Sequence, residues 1–335
     1  MTQIILNAWY SGAWWLRLVY PLEWVYLRLR KHHLRCQPRP PKNPIPLLVV
    51  GNITLGGTGK TPLVVALVAA LKQHGLRPAI ISRGYGGCIG AGPHLVTAED
   101  KPDQVGDEPI LLARLTAVPV VVGWNRKAGL TWLAEQGQYD VVISDDGLQH
   151  SVIKGDVEWC LIDGTRGLGN GHCLPAGPLR EPVARLRQVD QVLMTGELQP
   201  QGAQQLQRVR LEQDYCVLTP QLDQVRRVAD DQVAAWPSVG TSLNAVAAIG
   251  NPQRFFNDLR AKGYTVEGQG FADHHQFKPQ DLPLGELMMT AKDAVKCKPM
   301  AQQQNHPWLY ATQRLTLPEW LVTKLIQQLD LSAQR

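Results

Sequence analysis

The apolar positions of this chain fall into short runs separated by longer mixed stretches, the pattern of strands alternating with helices. Residues 45–50, 78–82, 118–122, 141–144, 159–162 and 192–195 each read as a strand. Most of these runs are continuous, which predicts a mostly parallel sheet covered by helices on both faces. After the first strand, residues 64–71 carry a helical pattern with Gly75 as its C-terminal stop. Later, 245–249 predicts a strand, 252–262 a helix ended by Gly263, 264–267 a strand, 308–317 a late strand and 318–329 an amphipathic closing helix. A Pro-rich linker over 38–46 precedes the first set. The polar, Gln-rich stretch 196–213 marks a domain edge, and a second α/β unit is expected to begin near Cys216.

Residues 1–42 have a different character. Trp9, Tyr10, Trp14, Trp15, Tyr20, Trp24 and Tyr26 sit among aliphatic residues, and a basic cluster follows from Arg28 to Lys42. A spanning helix needs about 18–20 nearly uncharged residues, whereas Arg17, Glu23 and Arg28 interrupt this stretch and Pro21 breaks or restarts the helix. A signal peptide fits poorly because the positive charge follows the apolar region. Two readings remain: a helix pair packed on the core, or one lying in a membrane interface. The basic tail behind the aromatics favours the interface, where Trp and Tyr concentrate and cations meet anionic headgroups.

With 335 residues the chain has the length of about two domains, and 44% hydrophobic content supports buried cores. Six scattered cysteines without a C-x-x-C pair read as reduced thiols, not as a disulfide frame or a zinc site. The net charge of +5 suggests a polyanion surface until it is localised. Seven basic residues and one acid within 1–42 give that segment +6, which leaves the remainder at −1. Nucleic-acid binding is therefore not expected.

Val50 to Pro62 reads V-G-N-I-T-L-G-G-T-G-K-T-P, a glycine-rich loop between a strand and a helix. Thr54, Leu55, Gly56, Gly57, Thr58, Gly59, Lys60 and Thr61 have the layout of a phosphate cradle. In such a loop amides face an anion, Lys60 carries charge to the β/γ-phosphates and the Thr61 hydroxyl reaches Mg²⁺. Thr54 stands where the simple G-x-x-x-x-G-K-[ST] pattern has its first glycine.

Other segments carry chemistry of their own. Asp145 and Asp146 end an apolar strand, where a phosphate-loop enzyme places its metal carboxylate; an ordinary Asp-Asp-Gly turn is the alternative. Asp107 and Glu108 lie in a glycine–proline loop, a place for a carboxylate that takes a hydroxyl proton and also for any surface turn. Asp273, His274 and His275 lie between aromatics, without the cysteine that would support zinc; a plain loop and a catalytic partner to a carboxylate are both open readings. The segments 82–87 and 165–182 are rich in glycine and proline and carry arginines that could meet a phosphate.

Taken in order, G-N-I-T-L-G-G-T-G-K-T-P, S-R-G-Y-G-G, G-D-E-P, S-D-D-G-L-Q-H, G-N-G-H-C-L-P-A-G-P-L-R-E-P, F-A-D-H-H-Q-F and T-A-K-D-A-V-K resemble the tetraacyldisaccharide 4′-kinase family over most of the chain. The Thr54 spacing is that family's own form. The resemblance implies a phosphate-loop NTPase-like α/β fold with a smaller C-terminal α/β domain and an N-terminal membrane-interface helical segment, divided as 1–42, 43–212 and 213–335. It implies ATP bound by the loop, and Mg²⁺ held by Thr61, Asp145 and Asp146 with Glu108 near the metal. Asp107 would act on the 4′-hydroxyl with His274 as dyad partner across the domain cleft. Arg83, Tyr85, Gln149, His150, Asn170 and Arg180 would meet the substrate, a lipid-linked disaccharide at the cytoplasmic face of the bacterial inner membrane. No obligate protein partner is implied. The sequence departs from the family pattern at Ala291, where Glu is usual.

The rival readings are a membrane-associated ATPase switch and a GTPase of the same loop class. Such switch ATPases carry a lysine just before the paired glycines, where this chain has Leu55, and Asn125-Arg126-Lys127-Ala128 is a poor guanine-reading motif.

Overall fold

Two sheets organise the chain. The computed structural model describes residues 3–37, 40–90, 92–97, 99–150, 152–197, 199–209, 215–283, 285–304 and 306–331. Parts of the expected linker at 38–46 and Gln-rich edge at 196–213, and the division at 212/213, lie outside the described residues.

The first sheet contains β1 (Leu47–Gly51), β2 (Pro78–Ser82), β3 (His94–Leu95), β4 (Val120–Val122), β5 (Val141–Asp145), β6 (Val157–Asp163), β7 (Gln191–Thr195) and β8 (Cys216–Leu218). Their order is β3-β4-β2-β5-β1-β6-β7-β8, and only the β3–β4 edge pair is antiparallel. Leu48, Val50, Ile80, Val120, Val122 and Ile143 enter one buried cluster, and Leu47, Val49, Ala79, Ile81, Val121 and Val142 enter another. Successive side chains thus fill opposite cores, which is why these strands read as unbroken apolar runs.

The second sheet contains β9 (Gln221–Arg227), β10 (Val233–Ala234), β11 (Ser242–Ala247), β12 (Thr265–Gly270), β13 (Leu287–Thr290) and β14 (Trp308–Arg314), in the order β10-β9-β14-β13-β11-β12. It is parallel from β14 through β12 and antiparallel at β9 and β10.

The helices are α1 (Gln3–Ser11), α2 (Tyr20–Cys36), α3 (Lys60–Gln73), α4 (Pro102–Val105), α5 (Asp107–Thr116), α6 (Arg126–Gln136), α7 (Pro200–Val209), α8 (Pro252–Ala261), α9 (Ala291–Gln304) and α10 (Glu319–Gln328). Three placements differ from the sequence reading. Around Cys216 the chain still extends the first sheet, because β8 pairs in parallel with β7. The closing helix α10 returns to that core, where Leu321 and Leu325 join Leu63 and Leu67 of α3. Asp107 starts a helix instead of lying in a loop. Gly106, at φ 92°, separates α4 from α5, and Pro109 is tolerated because first-turn amides have no intrahelical acceptor.

Register sets the site. In the β1–β5 pair Val50 stands opposite Asp145, so the loop after β1 and the carboxylates after β5 emerge side by side. That is the carboxyl edge of a doubly wound sheet, where such folds bind ligands.

The N-terminal helices lie against this edge. A 3-10 turn, Trp14–Val19, joins α1 to α2, and Pro21 occupies the first turn of α2, where it starts the helix without breaking it. None of the described helices is long and apolar enough to cross a membrane. α2 is turned in an unusual sense. Its polar Glu23, Tyr26 and Arg30 bond inward to His172 and Cys173, to the Arg180 carbonyl and to Glu181. Meanwhile Leu22, Val25 and Leu29 form a solvent-exposed apolar stripe that continues Leu18.

Candidate active site

The phosphate loop leaves β1 at Gly51 and re-enters regular structure at Lys60. Thr54 does not turn there: it forms an antiparallel bridge with Leu179, and the Leu55 amide donates to the Pro178 carbonyl at 2.8 Å. An extended residue at this point needs no glycine, which accounts for the departure from the simple loop pattern. Gly59 does need its freedom, since it caps α3 at φ 87°. Asn52, fully buried, braces the loop from inside through Nδ2 to the carbonyls of Thr54 at 2.8 Å and Gly56 at 3.3 Å. Its Oδ1 accepts from Lys60 Nζ at 3.3 Å. Thr195 Oγ1 at the end of β7 donates to the Thr58 carbonyl at 2.7 Å, and Arg254 of α8 donates to Thr195 at 3.2 Å.

Lys60 Nζ also lies 3.2 Å from Asp146 Oδ1, and Arg180 approaches the other oxygen of the same carboxylate at 3.3 Å. Burial pushes the Asp146 carboxyl up, but Lys60 and Arg180 outweigh it and hold it well below the usual range. Asp146 adopts φ 51°, and Arg126, buried beneath it, donates to its carbonyl at 3.0 Å and to Ser144 Oγ at 3.2 Å. Asp145 behaves oppositely. Complete burial, then the Glu108 charge, raise its carboxyl to about 7 against the pull of Lys60. Its Oδ1 is buried without a hydrogen-bond partner, as is Thr58 Oγ1.

These orphaned oxygens fit a hard cation and its phosphate. A buried carboxylate oxygen with no donor and an elevated proton affinity is a site that a cation would stabilise. Among the described residues no cluster of three or more His, Cys, Asp or Glu forms a metal cage. Two adjacent carboxylates beside a phosphate loop suit Mg²⁺, which is commonly held by one or two carboxylates plus phosphate oxygens.

The second group of residues crosses from α5 to the segment after β12. Asp107 is buried, and its carboxylate faces His274 Nδ1 at 3.2 Å. Burial raises Asp107, but the His274 hydrogen bond and the Lys292 charge bring it below the ordinary carboxylate range. Burial lowers His274, yet the bond to Asp107 leaves it raised on balance. Lys292 in the first turn of α9 reaches Glu108 at 3.0 Å, Asp273 at 3.1 Å and His274 Nε2 at 3.3 Å. Burial opposes its charge, but Glu108, Asp273 and Asp107 raise it well above the usual lysine range. The Tyr85 ring lies 4.9 Å from that of His274.

Most sequence-predicted residues thus gather into two groups. Lys60, Asp146, Gln149 and Arg180 form one, closed by Gln149 Nε2 donating at 2.8 Å to both the Asn52 carbonyl and Glu181. Asp107, Glu108, His274 and Tyr85 form the other, with Asp145 feeling charges from both. Thr61 stands half-buried in the first turn of α3. Arg83 stacks over Trp124 at 5.2 Å. His150 is pushed down to about 4 by burial and by Arg126 and Arg83, so it is neutral at physiological pH. Asn170 turns inward: it donates to the Ala176 carbonyl at 2.8 Å and accepts from the His172 amide at 3.2 Å, which closes its own loop. Asn52, Arg126, Glu181 and the bridging role of Lys292 were not read from sequence. The G-N at the end of the first strand and the E-P after Arg180 were the signals available for two of them.

Comparison with known proteins bears on what this edge does. The family model LpxK, tetraacyldisaccharide-1-P 4′-kinase, matches residues 13–330. A tetraacyldisaccharide 4′-kinase of Alcanivorax borkumensis is 41% identical over 341 residues, covering 98% of this chain and 98% of that protein. One from Nitrosococcus oceani is 39% identical over 350 residues, covering 100% of this chain and 96% of its own length. The crystal structure of LpxK from Aquifex aeolicus, an "apo" form in complex with ATP, has the same fold. Its TM-score is 0.73 at 24% identity, over 94% of this chain and 99% of that one.

Proposed function

The chain belongs to the tetraacyldisaccharide-1-P 4′-kinase family, and we propose that its two groups of charged residues are the two halves of one phosphoryl-transfer site. The protein is an ATP-dependent kinase that phosphorylates the 4′-hydroxyl of a tetraacylated disaccharide 1-phosphate, the precursor of lipid A. The observation that carries the residue assignment is the buried Asp107 paired with a half-buried His274, beside a phosphate loop ending in Lys60.

In this reading the loop from Thr54 to Thr61 receives the triphosphate, and Lys60 leaves Asp146 to meet it. Thr61, Asp145 and Asp146 would hold Mg²⁺, with Glu108 close by; the cation would offset charge on the transferring phosphoryl group. Asp107 accepts the proton of the 4′-hydroxyl. Lys292 is an obligate donor, so the His274 Nε2 beside it is an acceptor and the imidazole proton lies on Nδ1, facing Asp107. His274 Nδ1 stands 3.2 Å from both carboxylate oxygens, and Oδ1 also accepts from the Glu108 amide at 2.9 Å, so the incoming hydroxyl would use the remaining lone pair of Oδ2. Arg180, Gln149, Arg83, Tyr85 and the neutral His150 line the approach for the sugar phosphate, while Asn170 keeps the loop that presents Arg180 in shape. The first sheet, completed by β8 and covered by α10, forms the nucleotide-binding unit, and the second sheet carries the segment that brings His274 to Asp107.

The exposed stripe of Leu18, Leu22, Val25 and Leu29, with Trp14 and Trp24, supports docking of segment 1–42 on the cytoplasmic leaflet of the inner membrane. No protein partner or nucleic acid enters this account. The test is incubation with ATP, Mg²⁺ and the tetraacylated disaccharide 1-phosphate, followed by mass spectrometry. A product heavier by one phosphate at the 4′ position is expected; ATP hydrolysis without that product would overturn the reading.

A further inference from the structure

Leu55 occupies the place where related switch ATPases carry a lysine, and its side chain has a defined partner. It packs against a small core made by α1 and the turn after it: Ala8, Trp9 and Leu16 are buried there, with Leu174 and Tyr10 alongside. The anchorage extends beyond one contact. Trp9 Nε1 donates to the Pro175 carbonyl at 3.1 Å, and the Tyr10 ring lies 5.7 Å from the Arg166 guanidinium. Arg166 in turn donates to the Gly57 carbonyl and, at 3.0 Å, to the Gly250 carbonyl of the second unit. The phosphate loop is therefore held on its outer side by the N-terminal helix, through Leu55 and through Arg166.

We infer that Leu55 is a positioning residue through which α1 and the turn after it set the shape of the phosphate loop, so that this part of the N-terminal segment controls nucleotide affinity. The inference rests on the kinase reading and extends it. A loop that cradles phosphate by its amides works only when those amides converge, and Leu55 lies one residue before the paired glycines. Seating its side chain among Trp9 and Leu16 removes loop conformations that the glycines would otherwise allow. Trp9 belongs to the cluster against which Leu55 packs and lies outside the phosphate loop itself, which makes it the cleaner probe.

The experiment is a double-mutant cycle on the full-length protein, with the dissociation constant of ATP–Mg²⁺ measured by calorimetry for the parent, Trp9→Ala, Leu55→Ala and the double variant. Each single change is expected to weaken binding about tenfold, and the double variant is expected to be no weaker than Leu55→Ala. For Trp9→Ala, KM for ATP should rise while kcat stays within about twofold. Leu55→Met, which keeps the apolar contact, should restore affinity. If Leu55→Ala fails to fold, Trp9→Phe and Trp9→Ala alone decide: graded weakening supports the inference. Unchanged affinity in folded Trp9→Ala, or effects that simply add, would overturn it. A parent protein that binds no ATP would overturn the kinase reading and this inference with it.

Discussion

Lys292 Nζ lies 3.3 Å from His274 Nε2, on the side of the imidazole away from Asp107. An ammonium can only donate, so this contact orients the ring with its proton toward the carboxylate and opposes a second proton on Nε2. The hydrogen bond to Asp107 pulls the other way and wins on balance, leaving His274 raised.

The pH profile should report that competition. A doubly protonated His274 makes Asp107 a weak proton acceptor, so kcat should climb as pH rises through the raised His274 value and then level off. The stability contribution of His274 runs in the opposite sense: it is present below about 6.5, the ordinary histidine value, while Asp107 is ionised, and fades as pH passes the raised one. His274→Gln should lower kcat by about 10²-fold and flatten the rising limb. Steady-state kinetics between pH 5.5 and about 9 at saturating ATP measures both effects.

Asp145 predicts a trade of stability for function. Its carboxyl is raised to about 7 in the folded protein, chiefly by burial, so ionising it works against folding. The folded state loses stability relative to the unfolded one as pH rises from the ordinary carboxylate range to about 7. Asp145→Asn should therefore stabilise the nucleotide-free protein at pH about 8 by roughly 2–4 kcal/mol, the linkage value of such a shift, while it abolishes turnover. Denaturant melts at acid and alkaline pH, without Mg²⁺, check the sign and the size.

Removing Lys292 leaves Glu108, Asp273 and the buried Asp107 without their shared cation. Asp107 is buried while Glu108 and Asp273 are partly exposed, so breaking this network costs about 1–3 kcal/mol, less than the loss of a fully buried partner. Lys292→Met should lower Tm markedly near neutral pH. The loss should shrink at acid pH, where the carboxylates are protonated, and calorimetric scans at the two pH values test this.

The outward apolar stripe on α2 should govern lipid contact. Replacing both Leu22 and Leu29 with Glu removes two exposed apolar side chains, each worth about 1.5 kcal/mol or more when buried in lipid. Flotation with anionic phospholipid vesicles should show at least tenfold weaker partitioning. Nucleotide affinity in vesicle-free solution should be far less affected, since α2 turns Glu23, Tyr26 and Arg30 toward the protein.

The first sheet was legible because its strands are buried on both faces, so β1, β2, β5, β6 and β7 appear as continuous apolar runs. β9 was not, because most of its seven residues face solvent or half-solvent and break the apolar run. The extension of the first sheet by β8, and the return of α10 to α3, are tertiary choices that local pattern does not encode. The site divides in the same way. Lys60, Asp145 and Asp146 announce themselves by short local motifs on a strand–loop–helix frame. Lys292 acts on Glu108 from 184 positions away, and Glu181 meets Gln149 from 32 away, so their roles appear only when the chain folds. Asp107 looked like part of a turn, but it is the buried first residue of a helix, and that burial is what its chemistry needs.

The account turns on Asp107 as the group that accepts the 4′-hydroxyl proton. Its most direct test is single-turnover transfer of the γ-phosphate from ATP to the tetraacylated disaccharide 1-phosphate by Asp107→Asn, with ATP affinity measured on the same sample. The expected result is transfer slowed by about 10²–10⁴-fold with ATP affinity unchanged within about twofold. Transfer at the parent rate by a folded, ATP-binding Asp107→Asn protein would contradict it.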